Sequence, residues 1–382
     1  MEQRRFSGKS HWYHETQSST GQTQALPLVP EAARVADRFL LDLTLPEAFL
    51  DACQPWLQPA RDLCERLFPR QVPVSRLRTF SAYDRLSTAL TVAQVSGVQR
   101  LCNHYAARLA PLPGPDSSRE SNHRLAQITQ YARQLAGSPH VIDSRARQQL
   151  DDVGLTRDDI ILISQIVGFV GFQARAIAAF QAMLCLPVRW LPGMEMQQDA
   201  PQTLFAKRNI NWSPALEGVT LRNASAGQLE ALSRWQPLAE LRDLTPLLAH
   251  EPLLLNAMGA ILHSDLRAAL DDQILQLAAL VTARINGSAH CFDQQRQHVT
   301  LNHALADAPD IQAMLRLSQP DPQMQAVIQA VQLITRAADR FSAAQFNPLI
   351  EQGLSVQQAV SLLVWSGLCG WLNRLKIALG EA

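Results

Sequence analysis

The chain has 382 residues, 47% of them apolar, with 34 basic side chains balanced by 34 acidic ones. That length accommodates two domains, each with its own core, and that apolar fraction excludes a disordered chain. The balanced charge gives no electrostatic reason to expect nucleic acid or an anionic membrane as partner.

Residues 1–30 read as a flexible arm rich in Ser, Gln, Thr and His. The stretch from Met1 to Gln24 carries no apolar h-region, so no secretory signal is expected. The six cysteines form no CxxC pair and no metal-ligand spacing, which fits reduced thiols in the cytoplasm. No cofactor motif is present, and neither a cofactor nor a metal is expected.

From Pro30 onward helical periodicity dominates, and residues 31–186 form a first helical unit. Its first apolar groups, Leu40 to Leu43, Phe49 and Leu50, then Trp56 and Leu57, predict short helices broken by Pro46 and Pro55. Residues 82–109 predict a longer helix, ended by the loop Pro111-Leu112-Pro113-Gly114-Pro115, and residues 121–150 return to helix. Thr156 and Asp159 make a capping box before the most apolar stretch, Ile160 to Ala174. That stretch contains Gln165 and Gln173 and runs into Arg175, which suits a buried central helix better than a bilayer span. Residues 187–225, with Pro187, Pro192, Gly193, Pro201, Pro214 and Gly218, predict a linker. Residues 226–382 form a second helical unit. It contains a helical run from Ile274 to Arg284, a turn at Asn286-Gly287, another run from Cys291 to Val299, and a second capped apolar helix from Ser355. No alternating stretch is long enough to predict a sheet, so the expected fold class is all-α.

The two units repeat one another. At an offset of 199 positions Gly154, Gly168, Gly171, Arg175 and Ala179 meet Gly353, Gly367, Gly370, Arg374 and Ala378, and Phe172 meets Trp371. At an offset of 190, Ala89, Leu90, Ala93 and Gly97 meet Ala279, Leu280, Ala283 and Gly287. Two matching segments in the same order predict an internal duplication, with the units packed as a pseudo-twofold pair. The paired glycines each cost about 1 kcal/mol of helix propensity, which suggests close helix–helix approach.

Chemistry can survive where the copies differ. Cys291 follows the Asn286-Gly287 turn and falls in the first turn of a new helix, with Ser288 or Asn286 available as cap. A thiol there faces the positive end of the helix dipole, which favours the thiolate. His290 precedes it and His298 lies two turns along the same face. Cys291, His290 and His298 are therefore the candidate catalytic residues. Read locally, the alternative is a thiol packed as a small hydrophobe beside two surface imidazoles.

The segment Asn286 to Cys291 resembles the active-site turn of the alkylhydroperoxidase D and carboxymuconolactone decarboxylase family. The segments ending in Arg175 and Arg374 are similar to the final helix of such domains, so the likeness covers residues 31–186 and 226–382. It implies an all-helical fold, homo-oligomers and peroxidase chemistry at a Cys-x-x-Cys helix start. There the second Cys attacks peroxide, the first resolves it, and an upstream Glu and a downstream His relay protons. Here the second Cys position holds Cys291, while the first holds Ser288, the acid position Gln276 and the downstream His position Gln295. In the first unit Val98 and Leu101 stand at the two Cys positions, and Cys102 and His104 lie just beyond them.

What the resemblance implies is an oxidoreductase that reduces a peroxide with one thiol. Its turnover draws on an external thiol reductant or on a distant cysteine, Cys369 first among them. His290 would assist proton transfer and His298 would support it. Two further readings stay open: a decayed binding or structural module, and acid–base chemistry of decarboxylase type on a small metabolite with His290 or His298 as base. The expected partners are the small-molecule substrate, the reductant and further copies of the chain.

Overall fold

The computed structural model describes residues 28–189, 195–297 and 303–381. The arm expected over 1–30 lies outside them except for its last three residues. In chain order the helices are α1 (Glu47–Leu67), α2 (Ala82–Ser96), α3 (Gln99–Leu109), α4 (Arg119–Gly137), α5 (Ser144–Asp152) and α6 (Arg157–Met183). After the connecting segment come α7 (Ala226–Trp235), α8 (Thr245–Leu248), α9 (Pro252–Leu262), α10 (Asp272–Asn286) and α11 (Ala289–Arg296). The last are α12 (His303–Ala306), α13 (Ile311–Leu317), α14 (Pro322–Arg336), α15 (Ala343–Glu351) and α16 (Val356–Leu379). The protein is all-α among the described residues, apart from one two-residue bridge, β1 (Ser213–Pro214) with β2 (Gly380–Glu381), paired antiparallel.

The helix starts follow their caps. Thr156 with Asp159 and Ser355 with Gln358 form capping boxes that open α6 and α16, as their sequences predict. Ser81 with Asp84 opens α2 in the same way. The expected single helix over 82–109 is two, because Gly97 takes a left-handed φ of 69° and turns the chain between α2 and α3. Pro46 does delimit α1, but Pro55 does not break it: Pro55 and Pro59 both lie inside one continuous helix. Their rings sit four residues apart on the outer side, away from buried Trp56, Leu57 and Ala60. Water can therefore serve the carbonyls that lose an amide partner.

α6 and α16 pack along one another at the centre of the molecule. α6 is 27 residues long and apolar enough to cross a membrane by length and composition, and its most apolar window is entirely buried inside the protein. Gly168 allows the closest approach, because a Cβ there would overlap the Trp371 indole. Phe172 stacks on Trp371 at 6.0 Å, and Trp371 Nε1 donates to Gln165 Oε1 at 3.0 Å.

Contacts across this centre come in reciprocal pairs. Arg374 of α16 donates to Leu135 O at 3.0 Å and Ala136 O at 2.7 Å, in the last turn of α4. Arg175 of α6 donates to Thr335 O at 2.6 Å, in the last turn of α14. Each guanidinium also bonds the carbonyl four residues back, Gly370 O and Gly171 O. Both side chains are buried. Helix-end carbonyls and the negative end of a helix dipole take the place a carboxylate would otherwise hold. Likewise Gly97 lies against Asp339, and Gly287 against His140.

Of the segment 187–225, expected as a linker, residues 197–205 are strapped onto the helices that follow. Arg336 Nε donates to Gln197 O at 2.7 Å, Arg284 to Ala200 O at 2.8 Å, and Arg296 to Phe205 O at 3.1 Å.

Candidate functional site

The turn between α10 and α11 is built as the Asn-Gly pair predicts. Gly287, at φ 80°, ends α10, and its N–H and that of Ser288 both donate to Ala283 O. Ser288 then stands at the N-cap of α11, but its side chain makes no capping bond. The other expected cap, Asn286, is turned inward. Its amide donates to Asn373 Oδ1 at 3.1 Å, and its Oδ1 accepts from Gln197 at 2.9 Å. Neither expected side chain therefore caps the first amides of α11, which keep the positive end of that helix open. The helix runs to Arg296; the last two residues of the run expected from Cys291 to Val299 lie outside the described residues.

Cys291 is the third residue of α11, half-buried and packed against the core. It is a free thiol, as are the other five cysteines. Their surroundings differ. Burial pushes the Cys53 thiol up to about 11 and the Cys64 thiol up to about 12. Cys369, buried in α16, is pushed well above the ordinary thiol range by burial first and by the charge of Cys291 second. Cys185 is exposed just beyond the end of α6. Cys102 comes nearest to Cys291 in setting: it is half-buried near the start of α3, whose N-cap Val98 has no capping side chain. It stands one position deeper, however, and its amide already donates to Val98 O. Cys291 lies among the first amides of its helix, which have no intrahelical acceptor.

His290 is engaged by groups distant in sequence. Its Nδ1 lies 3.0 Å from Ile210 O on the connecting segment. Its Nε2 is buried, has no hydrogen-bond partner among the described residues, and sits 3.8 Å from Asp243 Oδ2. Consecutive helical residues point about 100° apart, so a neighbour in sequence need not be a neighbour in space. Burial, then the charge of Lys376, pushes the His290 imidazole below its ordinary range, so it is neutral at neutral pH. His298 lies outside the described residues. Gln276 and Gln295, at the positions of the family's acid and His, are half-buried neutral amides on α10 and α11.

Local sequence does not reveal the charged groups around this turn. Lys376, on the last turns of α16, is buried, bonds Asp243 Oδ2 at 2.6 Å and lies 4.3 Å from the centre of the Trp212 ring. At the other end of α10, Arg267 pairs with Glu240 and lies 5.1 Å from the ring centre of Trp365, which donates to Leu275 O. One signal was readable: the chain has only three lysines, Lys9, Lys207 and Lys376, and the third stands inside an apolar helix. In the first unit His104 is buried, its Nδ1 2.7 Å from Ala32 O, and burial pushes it down to about 4.

No family model matches the chain, and no curated protein matches it.

Proposed function

We propose that the chain is a duplicated helical thiol oxidoreductase that reduces a peroxide at Cys291. The observation that carries this reading is the placement of Cys291, a half-buried thiol in the open first turn of α11. Cys53, Cys64 and Cys369 are buried, Cys185 stands on the surface away from any helix start, and Cys102 lies one position further into its helix. A thiolate at Cys291 attacks a peroxide oxygen, becomes a sulfenic acid and releases an alcohol or water. Solvent supplies the leaving group's proton, because His290 commits Nδ1 to Ile210 O and sets Nε2 beside Asp243. With Gln276 in place of an upstream carboxylate, turnover is slow by the standard of a complete site. An external thiol returns the sulfur to its reduced form. The reading places the protein in the cytoplasm, as an oligomer of a fold like that of the alkylhydroperoxidase D family.

Three features support the duplication. α2 and α3 are joined at left-handed Gly97, as α10 and α11 are at left-handed Gly287. A short 3-10 turn precedes α5, the helix before α6, and another precedes α15, the helix before α16. The pairs Arg374–Ala136 and Arg175–Thr335 are related by the 199-residue offset read from sequence.

The test is peroxide consumption with a dithiol as reductant. Cys291→Ser is expected to lower the rate at least tenfold (~1.4 kcal/mol), while Cys185→Ser leaves it unchanged. A wild type without activity, or a Cys291→Ser variant with full activity, removes the reading. A second reading, a binding or structural module, is favoured by one observation: His290 is held by Ile210 on the Asp243 side. A native Cys291 thiol inert to a small alkylating reagent would support it.

A further inference from the structure

The surroundings of Cys369 extend the reading of Cys291 and rest on it. Trp365, Cys369 and Lys376 fall at intervals of four and seven residues, which places them along one stripe of α16. Each end of that stripe has a charged neighbour: Arg267 over Trp365, and Asp243 on Lys376. Lys376 is about 10 Å along the helix from Cys369, and its partner Asp243 lies 3.8 Å from His290, which ties α11 to that end of the stripe. α11 packs directly on α16. Asn286, at the turn that leads into α11, donates to Asn373 Oδ1 and lies beside Gly370, the residue after Cys369. The start of α11, with its half-buried thiol, thus meets the part of α16 that carries the buried one.

We propose that Cys369 is the resolving thiol for Cys291. A hydroperoxide first oxidises the Cys291 thiolate to a sulfenic acid, its O–O bond breaking and the alcohol leaving with a proton. The Cys369 sulfur then attacks the Cys291 sulfur. An S–S bond forms, the S–O bond breaks, and hydroxide leaves with the Cys369 proton as water. An external dithiol reduces the disulfide and is itself oxidised. The movement required is local. α11 is eight residues long and has no side-chain cap, so its first turn opens at less cost than the capped helices around it. The buried position of Cys369 also gives the pair a direction: peroxide meets Cys291 first, and small alkylating reagents reach Cys369 after it.

The test uses the full chain and one equivalent of hydrogen peroxide, followed by acid quench, alkylation of remaining thiols, digestion and peptide mass mapping. A peptide pair cross-linked through Cys291 and Cys369, lost on reduction, is the expected result. In Cys369→Ala, Cys291 is expected to be consumed at the wild-type rate but to persist as a sulfenic acid trapped by dimedone, several-fold above wild type. The wild-type map needs no variant, so a misfolded Cys369→Ala leaves the test standing. Oxidation of Cys291 without the cross-link, or with a cross-link to another cysteine, overturns this proposal and leaves the peroxide reading intact. No oxidation of Cys291 overturns both.

Discussion

Two imidazoles in this chain show how burial decides chemistry at single side chains. His104 and His290 each commit Nδ1 to a backbone carbonyl and leave Nε2 buried without a hydrogen-bond partner among the described residues. For His104 burial lowers the folded value to about 4, against an ordinary 6.5. The unfolded chain therefore binds a proton over a range where the folded one does not, so stability is fully present above pH 6.5 and is lost as pH falls toward 4. The loss reaches about 3 kcal/mol if His104 acts alone. Urea unfolding of His104→Leu is expected to show a flatter pH dependence across that window, with a constant cost at every pH from the lost bond to Ala32. An unchanged slope would place the proton uptake elsewhere. Sequence was informative about Cys291 and not about His290. A thiol at a helix start follows from local spacing, whereas the direction of an imidazole depends on Ile210, 80 residues away.

Helices and turns were easier to read than the side chains within them. The boxes at Thr156 and Ser355 and the Asn286-Gly287 turn were legible because capping and left-handed turns are local. Two expectations failed for opposite reasons. A helix across 82–109 breaks at Gly97, where Asp339, distant in sequence, lies 2.8 Å from the place a Cβ would take. A break at Pro55 is absent, because its outer placement lets water take the orphaned carbonyl while Trp56 and Leu57 bury the inner face. Pro55→Ala is thus expected to stabilise the protein by about 1–2 kcal/mol, less than the ~3 kcal/mol of an isolated helix interior. Urea midpoints measure it, and a destabilised variant would show that the ring packs.

At the scale of the whole molecule, the two halves of the chain hold one another through helix ends. Arg374 closes α4 and Arg175 closes α14, so each half of the chain supplies a cation to a helix end of the other. Burial drives the Arg175 value down to about 10, still cationic at neutral pH. Arg374→Met would leave Leu135 O and Ala136 O without this donor, at about 1–3 kcal/mol for each unmet group, while Gly370 O keeps the helix amide of residue 374. Calorimetry is expected to show one transition in both proteins, lower in the variant. Two separated transitions would mean that the units are independent. The repeat of Arg175 as Arg374 was visible in the sequence, but the exchange of partners was not, since no local pattern says which helix end a buried guanidinium will meet.

Peroxide should meet Cys291 before any other thiol, and Cys185, exposed just beyond α6, is the internal control. The deciding quantity is the rate at which each cysteine loses its free thiol to dilute hydrogen peroxide in the native protein, followed by isotope-coded alkylation and mass spectrometry. Cys291 is expected to be consumed at least tenfold faster than Cys185. Equal rates, or a Cys291 that stays reduced while Cys185 is oxidised, would overturn the assignment.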